Sequence, residues 1–128
     1  MSGFIGPIEK LTLENRDFRR VLFTGKHAQL VLMCLEPGED IGSEVHRHVD
    51  QFFRVEEGDA RFVLKGRKLP VVRAGGAVVV PAGTRHNIVN ASKRKKLLMY
   101  TIYSPPNHPP GTVHKTRADA EAAERASH

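Results

Sequence analysis

Glu44-Val45-His46-Arg47-His48-Val49-Asp50-Gln51-Phe52-Phe53-Arg54-Val55-Glu56-Glu57-Gly58 is the stretch whose reading decides the fold. His46 and His48 stand one residue apart, and on a strand that spacing turns both imidazoles to one face. Gln51 follows after two residues. From there a period of two places Gln51, Phe53 and Val55 on one side, and Phe52, Arg54 and Glu56 on the other. Paired imidazoles with an oxygen donor just beyond make half or more of the protein shell that a divalent metal needs. A second stretch, residues 75–90, supplies His86 just after the apolar run Ala77-Val78-Val79-Val80 and the turn Pro81-Ala82-Gly83. The expected centre is a single divalent metal held by His46, His48, Gln51 and His86. That donor set does not choose among Zn, Fe, Ni, Mn and Cu.

Outward from this stretch the chain reads as short strands between turns. Strands are expected over residues 18–24, 29–35, 60–64, 68–72, 77–80, 87–89 and 97–103, with Pro70 suiting an edge. The turn signals are Asn15-Arg16-Asp17, Gly25-Lys26, Pro37-Gly38, Gly58-Asp59, Lys65-Gly66-Arg67, Gly75-Gly76 and Pro81-Ala82-Gly83. Gly58-Asp59 is expected to make a hairpin that pairs residues 60–64 back on the preceding strand. The run 77–80 has the continuous apolar character of a strand buried on both faces. Regular spacing of such strands predicts an all-β sandwich or barrel. Residues 104–111 hold four prolines, which fix φ and remove donors, so they form an extended strap. Thr116 can cap a short helix over residues 117–125, with Asp119 at the capping-box position. Residues 1–13 are expected to lie along the barrel or against a neighbouring subunit. The organisation is thus one barrel domain over residues 1–115, then a helix and frayed tail over 116–128.

Composition narrows the function classes. A chain of 128 residues is one domain with room for a real core. No apolar run is long enough for a transmembrane helix, and no secretory signal is visible, so a cytoplasmic setting is expected. The lone Cys34 lies in the apolar run 30–35 and reads as a buried structural thiol. The net charge is +6, yet the densest basic run, Lys93-Arg94-Lys95-Lys96, has no interleaved aromatics for stacking on bases. Nucleic acid is therefore not the expected partner. A small anionic molecule is, because a positive surface raises its encounter rate.

The two stretches together resemble the paired motifs of the cupin superfamily, which are double-stranded β-helix, jelly-roll-like barrels. The first family motif runs Gly, spacer, His-x-His, three or four residues, Glu, six residues, Gly. His46-x-His48 and the spacing from Gln51 to Gly58 follow it. The second runs Gly, five residues, Pro-x-Gly, two residues, His, three residues, Asn, and Gly75, Pro81, Gly83, His86 and Asn90 fall in place. The resemblance spans roughly residues 20–105 and extends to small bacterial cupins described as mannose-6-phosphate isomerase-like. Two departures stand out: Gln51 occupies the acidic position, and only Val49 and Asp50 separate it from His48.

The resemblance implies a metal-dependent enzyme on a small polar or anionic substrate, sugar-phosphate isomerase-like. A metal-dependent dioxygenase and a non-catalytic binding or sensing module are the alternatives. With no acid at the motif position, the candidate general base is Glu44, two residues before His46, as a proton acceptor or an orienting group. Asp50 reads as a turn residue. Arg85 reads as a clamp for a carboxylate or phosphate or as a surface residue, Tyr103 as lining the pocket mouth or, like Tyr100, as core packing, and His27, His108 and His114 as exposed. Phe53, Val55, Ile88 and Met99 are the expected pocket lining. Gly58, Gly75, Gly83 and Asn90 answer to turns rather than chemistry. Sheet edges and the N-terminal segment suggest a homodimer.

Overall fold

The computed structural model describes residues 3–126. Helix α1 spans Ile8–Glu14, followed by strands β1 (Arg19–Thr24), β2 (Gln29–Leu35), β3 (Asp50–Glu57), β4 (Ala60–Leu64) and β5 (Arg67–Lys68). Strands β6 (Ala77–Val80), β7 (His86–Asn90), β8 (Leu97–Ser104) and β9 (Val113–His114) and helix α2 (Arg117–Ala126) complete it. The strands form two antiparallel sheets, one ordered β6-β3-β8-β2-β1-β9 and one ordered β5-β4-β7. This is the all-β arrangement expected, with the core held between the sheets.

The period of two decides which side chains enter that core. On β3, Gln51, Phe53 and Val55 point inward at 2%, 0% and 0% exposure, as their alternation requires. On β7 the same rule buries His86, Ile88 and Asn90 in one row. Phe53 meets Phe62 of β4 edge-on at 5.2 Å, joining the two sheets. Each of these rings contributes roughly 1.5–3 kcal/mol by leaving water. Asn90 ties the end of β7 to its surroundings: its Nδ2 donates to the carbonyls of Leu35, Glu36 and Lys95, and its Oδ1 accepts from the Ser92 N–H. Cys34 is buried on β2, and burial pushes its thiol up from the ordinary value.

Several local expectations are corrected. Gly58 does not close a hairpin: β3 pairs with β6 and β8, while β4 crosses to the other sheet and pairs with β7 and β5. The register shifts between Val55 and Glu57, and Gly58 then adopts φ +97°. A β-carbon there would fall 2.6 Å from the Lys96 carbonyl oxygen, so only glycine lets the chain pass between sheets at this point. Strand β6 is not buried on both faces. It is the edge of the larger sheet, and Val79 is 60% exposed. The strand expected over 68–72 is cut to β5 by Pro70, with Val72 keeping one bridge to Ala60. Residues 8–14 do lie on the barrel, but as a helix. Ile8, Leu11 and Thr12 recur at helical spacing, Thr12 is fully buried, and its hydroxyl donates to the Ile8 carbonyl at 2.7 Å.

The strap 104–111 leads to β9, which pairs with β1, and α2 follows. The capping box forms as read: the Asp119 N–H donates to Thr116 Oγ1 at 3.1 Å, and the Thr116 N–H donates to Asp119 Oδ2 at 3.3 Å. The expected fraying of the tail falls on residues 127 and 128, outside the described residues.

Candidate metal centre

Two backbone hydrogen bonds build the site. Before β3 begins, the Glu44 N–H donates to the His86 carbonyl and the His86 N–H donates to the Glu44 carbonyl, both at 2.8 Å. This one-residue bridge sets Glu44 opposite His86 across a narrow pair. Two residues on, the His46 carbonyl accepts the Gly83 N–H at 2.9 Å, so His46 follows the same short extended segment. Glu44, His46 and His86 thereby come together, each offering a ligand atom within 4.8 Å of the others. Ligand atoms around one ion at about 2.0–2.2 Å lie roughly 3–4.3 Å apart, so the group is close to the size an ion requires.

His48 is not part of this group. The chain leaves its bridge to β7 at His46, turns through Arg47 and His48, and re-enters a ladder only at Asp50. In a turn the alternation of faces is lost, and His48 is exposed. The expectation of a single strand carrying His46 and His48 is therefore corrected. Counted from His46, four residues (47–50) precede Gln51 and six (52–57) precede Gly58, which is the longer permitted spacing of the first motif. Glu44 then occupies the place of the first histidine. The carboxylate missing from position 51 has its counterpart at position 44. The two-residue gap after His48, noted as a departure, was the signal.

The donors are oriented and left open. His86, 2% exposed, donates Nδ1–H to the Thr84 carbonyl at 3.0 Å; a carbonyl only accepts, so the lone pair lies on Nε2. Gln51, 2% exposed, donates Nε2–H to Thr101 Oγ1 at 2.9 Å, which leaves Oε1 as its free end. His46 Nε2 is 2.8 Å from Glu44 Oε2 but out of hydrogen-bond alignment with it. His46 Nε2, Gln51 Oε1 and His86 Nε2 are all buried without a hydrogen-bond partner. A buried polar atom that nothing meets costs about 1–3 kcal/mol, which applies most directly to Gln51 Oε1 and His86 Nε2. The electrostatics agree with a cation site. Burial would raise the Glu44 carboxyl, but His46 at 2.8 Å, with the charges of Arg19 and His86, holds it below the usual carboxylate value. Burial lowers His86, against the Thr84 hydrogen bond and Glu44.

A cavity of about 730 Å³ opens beside this group, walled by Phe18, Arg19, Glu44, His46, His108 and Arg117 and roofed by the strap and α2. The expected lining is corrected: Phe53, Val55, Ile88 and Met99 are all fully buried in the core. His108 and His114 also differ from expectation, since the strap folds back over the barrel. Both are half-buried. His108 Nε2 and the Tyr103 hydroxyl are 3.2 Å apart, and the Tyr103 ring lies 5.9 Å from that of His46. Burial, with Arg19 adding, pushes His108 down to about 3, and burial pushes the Tyr103 hydroxyl up to about 12. Near neutral pH this pair is uncharged.

The remaining candidates are peripheral. Asp50 Oδ1 accepts the Ala82 N–H at 2.8 Å and pins the turn before β7. Arg85 is exposed and donates to Ser43 Oγ at 3.2 Å. His27 is exposed. Tyr100 is half-buried against Phe52, with ring centroids 6.2 Å apart. Among the described residues, no helix is long and apolar enough to cross a membrane. Sequence reasoning missed Arg19, a residue on β1 that only the fold brings to the cavity.

Comparison with known proteins adds the family. The sequence profile described as a cupin domain matches residues 31–103. The uncharacterized protein YrkC of Bacillus subtilis is 49% identical over 128 aligned positions, covering 94% of this chain and 67% of that protein. An uncharacterized protein of Acanthamoeba polyphaga mimivirus is 44% identical over 113, covering 86% and 70%. A crystal structure of a Bacillus halodurans protein superposes with a TM-score of 0.88 at 47% identity, covering 93% of each chain.

Proposed function

Since the chain belongs to the cupin domain family, we propose that it is a metal-dependent enzyme acting on a small polar or anionic molecule, with one divalent ion held by Glu44, His46, Gln51 and His86. The observation that carries this reading is the set of three buried, unpartnered donor atoms beside the Glu44 carboxylate. An ion bound there supplies Lewis-acid polarisation of a ligand oxygen. One carboxylate among neutral donors leaves the centre with a net positive charge, which favours an oxygen-rich or anionic ligand.

The chain's own groups do the rest. Thr84 and Thr101 hold the donor ends of His86 and Gln51 in place. The strap and α2 screen the cavity from bulk water. The Tyr103–His108 pair offers hydrogen bonds to ligand oxygens.

A sugar-phosphate isomerase-like reaction also needs a base that shuttles a proton between carbons. Glu44 is engaged at the centre, and His108, pushed down to about 3, is a weak base. That observation favours the second reading, a non-catalytic binding or sensing module on the same centre. A dioxygenase, which takes its reactivity from Fe, Ni or Cu, is the rival enzyme. Metal content by inductively coupled plasma mass spectrometry tests the common premise. Protein purified without chelator should carry about one metal per chain, and His86→Ala little. No metal in the wild type, even after reconstitution, overturns it. Turnover of sugar phosphates or diketones by the loaded protein then separates enzyme from binding module.

The same reading has a homodimer in the cytoplasm, where a buried free thiol such as Cys34 persists. The β6 edge carries exposed Val79 and is open to a second copy. Light scattering at micromolar concentration should give twice the chain mass, and a monomer mass sinks the dimer.

A further inference from the structure

Five arginines among the described residues form ion pairs with acids. Arg20 pairs with Asp17, Arg54 with Glu56, Arg73 with Asp59, Arg117 with Asp40 and Glu121, and Arg125 with Glu121. The most buried arginine, Arg19, is in none of these pairs. Arg19 is 7% exposed, lies in the cavity wall beside Glu44 and His46, and has no carboxylate within ion-pair distance among the described residues. Its Nη1 donates to His114 Nδ1 at 3.3 Å, its Cζ lies 5.3 Å from the Phe18 ring, and its Nε has no acceptor. A guanidinium held out of water without a counter-charge costs several kcal/mol. Glu44 lies within electrostatic reach of it. A dication at the neighbouring centre would cancel that charge, so binding of the ion leaves Arg19 less compensated.

We infer that Arg19 is the recognition residue for the carboxylate of a small acid whose second oxygen function reaches the metal centre. The guanidinium is planar, always charged, and matched to two carboxylate oxygens. His114 accepts from Nη1 and so fixes the plane of the group, and the Phe18 ring lies within stacking distance of it. The acids in the wall do not supply the missing partner. Glu121 is bound by Arg117 at 2.8 Å, and Glu44 belongs to the centre. The cavity suits a molecule of a few carbons carrying a carboxylate and a nearby hydroxyl or carbonyl oxygen, that is, a hydroxy or keto acid. The inference rests on the metal-centre reading for the ligand's second anchor only.

Isothermal titration calorimetry on the metal-loaded and the metal-stripped protein, with glycolate, pyruvate, glycolamide and inorganic phosphate as probes, tests it. Glycolate or pyruvate should bind the loaded wild type, and glycolamide, the neutral counterpart of glycolate, at least tenfold more weakly. Arg19→Leu should weaken carboxylate binding roughly ten- to a hundredfold while metal content is kept and Tm does not fall, since the uncompensated charge is removed. Arg19→Lys, which keeps the charge and lacks the fork, should fall between, and it carries the test if the leucine variant does not fold. If the chain takes no metal, the centre has failed but residual carboxylate binding should still depend on Arg19. Equal binding of glycolate and glycolamide, tighter Arg19-dependent binding of phosphate, unchanged affinity in both variants, or no carboxylate binding in either form would each overturn the inference.

Discussion

Glu44→Ala is expected to empty the metal centre, while His48→Ala leaves it loaded. Groups that only orient a ligand typically account for 10–100-fold in metal affinity, so removing a ligating carboxylate should cost roughly a hundredfold or more. Glu44 is also the one formal negative charge in the proposed donor set, and Glu44→Gln, which keeps its shape, should lose most of the same affinity. His48 stands exposed in a turn outside the ligand group, and its loss removes no donor. Competition against a chelator of known affinity, read by metal content, compares the three variants on one scale. A centre that survives Glu44→Ala and is lost with His48→Ala would restore the His-x-His assignment and refute this one.

Loading the ion should also raise thermal stability by a large margin. In the metal-free chain Gln51 Oε1 and His86 Nε2 are buried without a hydrogen bond and His46 Nε2 meets only the Glu44 carboxylate, and an ion that binds only the folded state adds its binding energy to folding. At a thousandfold excess over Kd that linkage is about 4 kcal/mol. For a chain of this size it corresponds to a Tm rise of roughly 10–25 °C. Calorimetry of chelated and reloaded protein gives the difference directly, and His86→Ala should show almost none. A wild-type Tm indifferent to chelation and reloading would mean that water meets those lone pairs. The cavity would then be a polar binding pocket without a metal.

Much of the fold was legible because strands announce themselves by local periodicity. Alternation in residues 51–55 placed Gln51, Phe53 and Val55 inward with no knowledge of what they would face, and His86 needed only its place after Pro81-Ala82-Gly83. The capping box at Thr116 and Asp119 is likewise a matter of four consecutive residues. Where local pattern misled, the deciding interaction was distant. The 77–80 run looks doubly buried because Ala and Val are apolar, yet its place at the sheet edge depends on which strands pair. Gly58 looks like a hairpin glycine, yet the atom that demands it is the carbonyl of Lys96, far along the chain.

The site divides along the same line. Residue types and spacing by themselves determined an all-β barrel with histidines at strand spacing, and the resemblance of the two stretches to the cupin motifs implied that those histidines share a centre. Only the tertiary structure decided which donors meet. The bridge between Glu44 and His86 joins segments 42 residues apart, making Glu44 a member of the group and leaving His48 outside it. The roof is decided in the same way, by β9 pairing with β1, which sets the strap, α2 and Arg19 around one cavity. Facing side chains along a strand is a consequence of backbone geometry that any six residues reveal. Bringing a carboxylate, two imidazoles and a buried guanidinium to one place depends on sheet pairing, and no short stretch of sequence contains it.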